Sequence, residues 1–358
     1  MMKLPKGCFA TKNSIAIGPN LDIRPCCRYT EQFGLLSDYN SLSDIMNGND
    51  YTQLHNSLSS GNWYKGCDTC KTAEENDIRS RRLSYVERFQ SDDFLLDIAL
   101  GNYCNLKCRM CSEDLSTSWF ADAVKLGRPK PKAWQITREQ IDSIIDFVSD
   151  RKSLFIELKG GEPLMNQECE YFFEKLQTLD IPISMSVTSN GTKTPDWFLD
   201  ACTKFDIDYQ ISVDGMYDAY EYVRGDKTFT WEQCANRIQE LEESVEKLSY
   251  NYVVQNLTVH HMLDFTQFVT KRINWIMLDW PKYLACNVIP ERSKPEIIEK
   301  LEKIEKISKN DFTKIPGFVT MIGNKCDQHL YDEFINESQK LDKLRGQSLS
   351  TTFPHLIQ

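Results

Sequence analysis

Long hydrophobic runs are missing from this sequence. No stretch approaches the ~18 consecutive apolar residues of a membrane-spanning helix, and the first ten residues, MMKLPKGCFA, lack the apolar core of a secretory signal peptide. These two absences argue against an integral membrane protein and against a secreted one. We therefore expect a soluble, cytoplasmic protein with no membrane partner.

An excess of positive charge is also missing. Lys and Arg total 42 against 52 Asp and Glu, a formal net charge of −10. That balance argues against a broad phosphate-binding surface, so nucleic acid is a disfavoured partner. Hydrophobic residues make up 41% and charged residues 26%, which excludes a disordered or fibrous chain. At 358 residues the chain predicts one large domain with small additions.

Cysteine is the residue type that stands out. Thirteen cysteines in a chain expected in the reducing cytosol indicate metal binding or redox chemistry rather than a disulfide framework. Five lie in the first seventy residues and three form a tight group further on. The other five stand alone and are expected to be small buried side chains: Cys169, Cys202, Cys234, Cys286 and Cys326.

The tight group reads C-N-L-K-C-R-M-C and contains Cys104, Cys108 and Cys111. Three thiols this close allow one loop to wrap a metal cluster and leave one iron without a protein ligand. A tetrahedral zinc site needs a fourth ligand, and no His or Cys follows within the next twenty residues. An iron-sulfur cluster is therefore favoured over zinc.

Strand and helix signals alternate around and after this group. A capping box at Thr137 opens an amphipathic helix, and further helices are expected at 167–179, after Pro195 and after Thr230. The alternation predicts an α/β fold, a partial (β/α)6 barrel whose site lies at the carboxyl ends of its strands. The predicted strands are 94–100, 154–158, 183–187, 207–213, near 252–260 and 284–289.

Chemically suggestive residues follow those strands in turn. The cysteine group follows the first strand, and Gly160-Gly161-Glu162-Pro163 follows the second. Ser189 and Asn190 come after the third strand, while Ser212 and Asp214 end the fourth. Asn-Gly and Asp-Gly are also ordinary turn signals, so turn formation is the alternative interpretation of Asn190 and Asp214.

The cysteine spacing and the Gly-Gly-Glu-Pro turn, in this order over residues 91–290, resemble the radical S-adenosylmethionine (SAM) superfamily. That resemblance implies that Cys104, Cys108 and Cys111 hold a [4Fe–4S] cluster whose open iron binds SAM. It implies reductive cleavage of SAM to a 5′-deoxyadenosyl radical that abstracts hydrogen from a substrate. It also implies an electron donor such as flavodoxin or ferredoxin.

The same resemblance assigns roles to the residues that contact SAM. The turn Gly160, Gly161, Glu162 and Pro163 would contact its amino group, and Ser189, Asn190 and Ser212 the ribose side. Arg224 would bind the carboxylate, for which its planar fork is suited; a solvated surface cation is the alternative. Met110 occupies the position before the third cysteine, where many members have an aromatic residue against the adenine. Asp214 completes the candidate cofactor-binding set.

The first 90 residues contain Cys8, Cys26-Cys27, Cys67 and Cys70. Four dispersed thiols can hold an iron-sulfur cluster or a zinc ion, and spacing alone does not choose between them. The arrangement is similar to the auxiliary-cluster modules called twitch or SPASM. That similarity implies that Cys8, Cys26, Cys67 and Cys70 bind an auxiliary [4Fe–4S] cluster, with Cys27 as an alternative to Cys26.

From residue 291 onward the composition predicts charged helices, one from Pro295 and one over 327–344, with a loose tail at 346–358. Cys326 and the pair His260-His261 are candidate hydrogen or proton donors, although such residues more often only pack. The expected domains are 1–90, an auxiliary iron-sulfur module; 91–290, the radical SAM core; and 291–358, a helical region.

The function that these observations favour is a radical SAM enzyme, an oxidoreductase or modifying enzyme acting on a peptide or small molecule. A nucleotide- or RNA-modifying member of the superfamily is the first alternative, disfavoured by the negative charge. A zinc-stabilised interaction protein without catalysis is the second, and the intact cysteine spacing and Gly-Gly-Glu-Pro turn argue against it.

Overall fold

The computed structural model describes residues 7–75, 79–224, 228–278, 280–307 and 314–357, with the backbone alone at 305–307. The chain divides into two compact units. The first unit comprises Met1–Tyr103, Ala133–Val187 and Pro195–Ile207. The second unit comprises Cys104–Lys132, Thr188–Thr194 and Asp208–Gln358. The expected domain boundaries near residues 90 and 290 stay a prediction.

The strands form one sheet with the linear order β2-β1-β3-β4-β5-β6-β7-β8. The pair β1–β2 is antiparallel, and the pairs β1–β3, β3–β4, β4–β5, β6–β7 and β7–β8 are parallel. This open α/β sheet confirms the expected fold class. The strands are β1 Ser14–Ile17, β2 Ile23–Arg24, β3 Asp93–Ala99, β4 Ser153–Lys159, β5 Ile183–Ser189, β6 Asp206–Ser212, β7 Leu248–Val254 and β8 Arg272–Met277.

Helices connect most of these strands and follow them at the carboxyl end of the chain. Within the described ranges they are α1 Ala10–Asn13, α2 Leu42–Met46, α3 Asn49–Ser59, α4 Asp68–Glu75, α5 Arg81–Arg88, α6 Phe120–Lys125, α7 Arg138–Val148, α8 Gln167–Leu176, α9 Asp196–Lys204, α10 Tyr217–Arg224, α11 Trp231–Ser244, α12 Met262–Phe268, α13 Lys294–Ile307, α14 Ile315–Gly323, α15 Gln328–Arg345 and α16 Leu349–Thr352.

The core of the first unit lies around β3 and β4. The segment FLLDIA of β3 is buried at each position, as expected for a strand covered on both faces. Helix α7 begins at the predicted capping box, where the Thr137 side chain accepts a hydrogen bond from the Gln140 amide. Its four buried apolar residues, Ile141, Ile144, Ile145 and Val148, are spaced for one helical face.

The core of the second unit contains buried aromatic residues on one face of β6, β7 and β8. Tyr209, Tyr250, Tyr252 and Trp275 alternate with polar residues along these strands. Tyr252 packs at 5.2 Å from both Phe265 and Trp275, measured between ring centroids. The opposite face of the same strands is therefore free to carry polar side chains.

Several details of the predicted strands were wrong. Residues 284–289 form no strand; they are buried in turns, where the Asn256 amide donates to the carbonyls of Tyr283 and Val288. The strand lies earlier, at β8, and the strand expected near 252–260 is β7 at Leu248–Val254. The short N-terminal strands β1 and β2 were also missed, because four and two residues give little periodic signal.

The loose tail expected at 346–358 was also wrong over its described part. Leu349, Phe353 and Leu356 are buried, and α16 and a short 3-10 turn at Pro354–Leu356 order the backbone. Three apolar residues in a mostly polar segment anchor it through hydrophobic burial. Across the described ranges, none of the helices combines the length and the apolarity needed to cross a bilayer.

Candidate cofactor and cluster sites

In the second unit, the loop that contains Cys104, Cys108 and Cys111 is held by hydrogen bonds to its backbone. The Ser118 hydroxyl donates to the Cys104 carbonyl at 2.8 Å, and the Trp119 indole donates to the Cys108 carbonyl at 2.9 Å. All three cysteines are half-buried. A loop anchored in this way keeps three thiols in place without a disulfide.

Arg224 and Asp214 form a buried ion pair in the same unit. The guanidinium donates to Asp214 Oδ2 at 2.6 Å, and the side chains are 8% and 0% exposed. The Val253 amide donates to the other Asp214 oxygen at 2.6 Å. Arg224 is thus not the solvated surface cation that was its alternative interpretation, and Asp214 does more than form a turn.

This ion pair adjoins the cysteine loop. The Cys108 thiol donates to the Arg224 carbonyl at 3.1 Å. Burial raises the pKa of the Cys108 thiol, and the positive charge of Arg224 opposes that rise. Burial also raises the pKa of Cys111 to about 12, with a further rise from Cys108. Binding of a metal cluster by these thiols would therefore release protons.

Ser189 and Asn190 form a hydrogen-bonded turn at the end of β5. The Gly191 amide donates to Ser189 Oγ at 3.1 Å, and the Thr192 amide donates to Asn190 Oδ1 at 2.9 Å. The Asn190 amide group also lies 3.8 Å from the Cys104 sulfur. Asn190 therefore combines turn formation with a position beside the cysteine loop, while Ser212 and Met110 are half-buried in the same unit.

The Gly-Gly-Glu-Pro turn lies in the first unit, directly after β4. A Cβ on Gly161 would approach the Tyr103 carbonyl oxygen to 2.2 Å, so only glycine fits there. Gly160 has φ +136°, which also favours glycine. The Glu162 amide donates to the Tyr103 carbonyl at 2.7 Å, and Pro163 begins a 3-10 turn. The turn is thus bound to the residue that precedes Cys104.

The dispersed N-terminal cysteines converge in the first unit. Cys8, Cys26, Cys67 and Cys70 line one cavity, whose wall also includes Tyr29, Trp63, Arg82 and Tyr85. Burial raises the pKa of Cys8 to about 11 and that of Cys67 to about 12. Four thiols that the sequence scatters over 63 positions therefore share one site, as a single cluster or ion requires.

Cys27 lies outside that cavity and contacts a different group of side chains. Its sulfur and carboxylate oxygens of Asp97 and Glu157 lie within 4.8 Å of one another. Lys159 donates to Asp97 at 2.7 Å, and Arg81 donates to Glu157 at 2.5 Å. Because both carboxylates already have cationic partners, this group is not a good cation site, and the geometry favours Cys26 as the cavity ligand.

The donor atoms of the two cysteine groups show which occupants they fit. The loop offers three thiol sulfurs, and four thiol sulfurs line the N-terminal cavity. Iron-sulfur clusters are held by cysteine thiolates. The residues present fit such clusters.

Sequence reasoning missed a polar network on one face of the strands in the second unit. Asn251 donates to Gln210 at 3.0 Å and Asn274 donates to Asn251 at 3.0 Å. Ser212 shares this face, since it pairs in register with Asn251. Polar residues alternating along D-Y-Q-I-S and S-Y-N-Y were the available signal, because parallel strands are usually apolar on both faces. The network comprises Thr188, Asp208, Gln210, Ser249, Asn251, Arg272 and Asn274.

A second feature that the sequence did not indicate is the contact between the cysteine loop and the C-terminal segment. Arg109, between the second and third cysteines, pairs with Asp342 and donates to Gln347 at 3.0 Å. Its guanidinium carbon lies 3.5 Å from the Tyr222 ring centroid. Asp342 and Gln347 lie more than 230 positions after Arg109, and no local pattern relates them to it.

The remaining candidates do not adjoin this loop through any contact in the described ranges. His260 packs against His261 and His355 at ring-centroid distances of 4.0 and 4.4 Å, tilted to the first ring and edge-on to the second. The Cys326 sulfur lies 3.8 Å from the Asp327 carbonyl. Of the five single cysteines, Cys169, Cys234 and Cys286 are buried, and Cys202 and Cys326 are half-buried. A role in packing accounts for the buried ones.

Comparison with protein families identifies two domains. Residues 98–269 match the model of the radical SAM superfamily. Residues 8–71 match the model of SPASM, an iron-sulfur cluster-binding domain. Together these domains imply a [4Fe–4S] cluster that binds SAM and an auxiliary iron-sulfur cluster. The expected superfamily, auxiliary module and cofactors are thereby confirmed.

Two curated relatives are both named GTP 3′,8-cyclase. The one from Campylobacter curvus is 26% identical over 96 residues, which are 27% of this chain and 27% of that protein. The one from Rhodopirellula baltica is 24% identical over 110 residues, 30% of this chain and 28% of that protein. The match spans little more than a quarter of the length of either relative.

Comparison with solved structures gives two further similarities. One, native anSMEcpe with bound AdoMet, is 18% identical with a TM-score of 0.45, over 60% of this chain and 61% of that one. Another, Streptococcus suis SuiB bound to precursor peptide SuiA, is 14% identical with a TM-score of 0.39, over 88% of this chain and 63% of that one.

Proposed function

Because the chain belongs to the radical SAM superfamily and carries an N-terminal SPASM module, we propose that it uses SAM to modify a peptide or another neutral polar molecule. When bound, the SAM-binding cluster would supply the electron for reductive cleavage of SAM, which would yield a 5′-deoxyadenosyl radical able to abstract hydrogen from the substrate. The protein holds these groups, orients the substrate and excludes water.

The observation that carries this proposal is the anchored loop of three thiols beside a buried cation. Cys104, Cys108 and Cys111 would hold the SAM-binding cluster. Asp214 fixes Arg224 by a buried ion pair, so that the guanidinium is pre-oriented for a carboxylate such as that of SAM. In this assignment Asp214 is a positioning residue, since both of its carboxylate oxygens are already engaged.

Other residues would complete the SAM site. The turn from Gly160 to Pro163 would present backbone groups to the SAM amino group. Ser189, Asn190 and Ser212 would face the ribose, and Met110 would pack against the adenine. Its polarizable thioether suits such a ring face. These roles rest on the resemblance of the motifs and on the turn geometry described above.

The auxiliary cluster would be held by Cys8, Cys26, Cys67 and Cys70. Support comes from the shared cavity and from the position of Cys27 beside Asp97 and Glu157 instead. An auxiliary cluster can accept an electron from a substrate radical or bind the substrate. We also propose an external donor such as flavodoxin or ferredoxin, and a cytoplasmic location, since a reducing compartment preserves these thiols.

The substrate class is inferred from charge. On the polar face of the second unit, Arg272 is paired with Asp208 at 2.7 Å. In the first unit, Lys159 is paired with Asp97 and Arg81 with Glu157. A triphosphate requires several uncompensated cations or a metal. Paired cations and a row of carboxamides are better suited to the amides of a peptide.

A nucleotide is the second candidate substrate, because both curated relatives are named for a reaction of GTP. The charge pairing described above argues against it. The two candidates predict different activators of SAM cleavage, so one experiment distinguishes them.

That experiment measures 5′-deoxyadenosine by chromatography after anaerobic incubation of the reconstituted, dithionite-reduced protein with SAM. We expect slow formation without substrate, stimulation by a library of unmodified synthetic peptides, and none by GTP. Stimulation by GTP with its consumption would replace the peptide assignment by the nucleotide one. No 5′-deoxyadenosine under any condition would overturn the proposed enzyme.

A further inference from the structure

Arg345 is a buried cation whose partners account for only part of its guanidinium. It is the last residue of α15, and Gly346 follows in a left-handed conformation with φ +65°. The Arg345 side chain is 1% exposed, and its Nε donates to Asp122 at 2.8 Å. Both Nη atoms are buried and have no hydrogen-bond partner among the described residues.

Two unpartnered nitrogens on one buried guanidinium are unusual. Buried polar groups in folded proteins are nearly always hydrogen-bonded, and an exception points to an absent ion, water or cofactor. A guanidinium is also always charged, so it cannot lower this cost by losing a proton. Arg345 therefore places a fixed, poorly solvated positive charge in this part of the second unit.

The position of Arg345 brings its charge close to the cysteine loop. Its guanidinium carbon lies 4.5 Å from the ring centroid of Trp119, and the Trp119 indole donates to the Cys108 carbonyl at 2.9 Å. A single aromatic ring thus separates Arg345 from the cysteine loop.

We propose that Arg345 is a positioning residue that raises the reduction potential of the SAM-binding cluster. The inference rests on the proposed assignment of Cys104, Cys108 and Cys111 as its ligands. Reduction adds one electron from an external donor to a cluster that already has three thiolate ligands. A fixed positive charge in a poorly solvated site stabilises the more negative, reduced state.

The same residue restrains the loop mechanically. Stacking on Trp119 and pairing with Asp122 attach the end of α15 to the segment that follows the third cysteine. The link between Arg109 and Asp342 adds a second attachment one helical turn earlier. If Arg345 only held the loop in place, removing its charge would leave the reduction potential of the cluster unchanged. The proposed electrostatic role predicts that the reduction potential shifts.

The test is a redox titration of the reconstituted full-length protein, followed by EPR. The SAM-binding cluster is identified by the change that added SAM makes in its signal. Arg345→Gln keeps hydrogen-bond donors but removes the charge, and we expect its midpoint potential to become more negative. Arg345→Lys keeps the charge, so its potential should stay close to that of the unmodified protein.

Asp122→Asn is the reciprocal variant and covers the case in which Arg345→Gln fails to fold. It removes the negative partner while leaving Arg345 charged, so the potential should become more positive. Unchanged potentials, or shifts of the same sign in both charge-changing variants, would overturn the proposal. Weaker SAM binding at an unchanged potential would also overturn it, because Arg345 would then contact SAM. Failure of the unmodified protein to assemble the cluster would instead refute the proposed ligands.

Discussion

The two groups of thiols are assembled by the chain in different ways. Cys104, Cys108 and Cys111 lie on one loop, so eight residues of sequence fix most of their arrangement. The four N-terminal thiols come from separate segments and meet only because the first unit folds around them. Local spacing therefore specifies one site, and tertiary packing specifies the other.

Their surroundings differ as well. Buried charges surround the cysteine loop, with Arg224 paired to Asp214 and Arg109 to Asp342. The wall of the N-terminal cavity includes three aromatic residues, Tyr29, Trp63 and Tyr85, and three arginines, Arg28, Arg81 and Arg82. The loop thus lies beside arginines that are paired with carboxylates, whereas the cavity encloses its thiols within a wall of aromatic rings and guanidinium groups.

The largest expected effect tests whether the loop alone activates SAM. Replacing Cys104, Cys108 and Cys111 together by Ala removes every protein ligand of that cluster, so 5′-deoxyadenosine formation should fall to background. Chromatography of the reduced reaction checks this. The auxiliary cluster should remain, and Cys202→Ala provides a control outside both groups. Undiminished SAM cleavage in the triple variant would refute the separation of the two sites.

The next prediction concerns the adjacent thiols of the N-terminal group. Cys26→Ala should lose the auxiliary cluster, about four irons per chain, because Cys26 lines the cavity. Cys27→Ala is its matched control and should keep the full iron content, since Cys27 lies beside Asp97 and Glu157. Iron and sulfide analysis distinguishes them. Loss of iron from Cys27→Ala alone would exchange the two assignments.

A smaller effect is expected from the buried charges near the loop. Asp214→Asn leaves Arg224 buried without its anionic partner, which should lower the free energy of unfolding by roughly 3–5 kcal/mol. It should also weaken SAM binding, because Arg224 loses its fixed orientation. Urea denaturation and SAM titration measure the two effects. Asp218→Asn, an exposed position at the start of α10, is the control.

The smallest effect concerns the cluster of His260, His261 and His355 in the second unit. Burial lowers the pKa of His261 to about 4, and it also lowers the pKa values of His260 and His355. As the pH falls, the three histidines of the unfolded chain are protonated near pH 6.5, whereas those of the folded protein stay neutral to a lower pH. The contribution of these histidines to the free energy of unfolding is therefore fully present above pH 6.5 and is lost as the pH falls toward 4.

Urea unfolding at pH 7 and pH 5 measures this loss, which we expect to be roughly 1–3 kcal/mol. Lys300 and Glu296 also act on the pKa of His355, so both residues are left unchanged in the variants compared here. His260→Asn should reduce the pH dependence, whereas His329→Asn at an exposed position should not. Equal pH dependence in both variants would show that other groups cause the acid sensitivity.

Features within one element or loop could be predicted from the sequence. The capping box at Thr137, the cysteine loop and the Gly-Gly-Glu-Pro turn each depend on a few adjacent residues. The choice between Cys26 and Cys27 could not be made, because adjacent thiols differ only in what the folded chain places beside them. The pairing of Arg109 with Asp342 and the true position of β8 likewise depend on distant contacts.

The central claim is that two sets of thiols hold two separate iron-sulfur clusters. Its most direct test is the iron and acid-labile sulfide content of the protein after anaerobic reconstitution, with Mössbauer spectra to identify the cluster type. We predict about eight irons and eight sulfides per chain, from two four-iron clusters. Zinc without sulfide in the N-terminal site, or only about four irons in the intact protein, would contradict the claim.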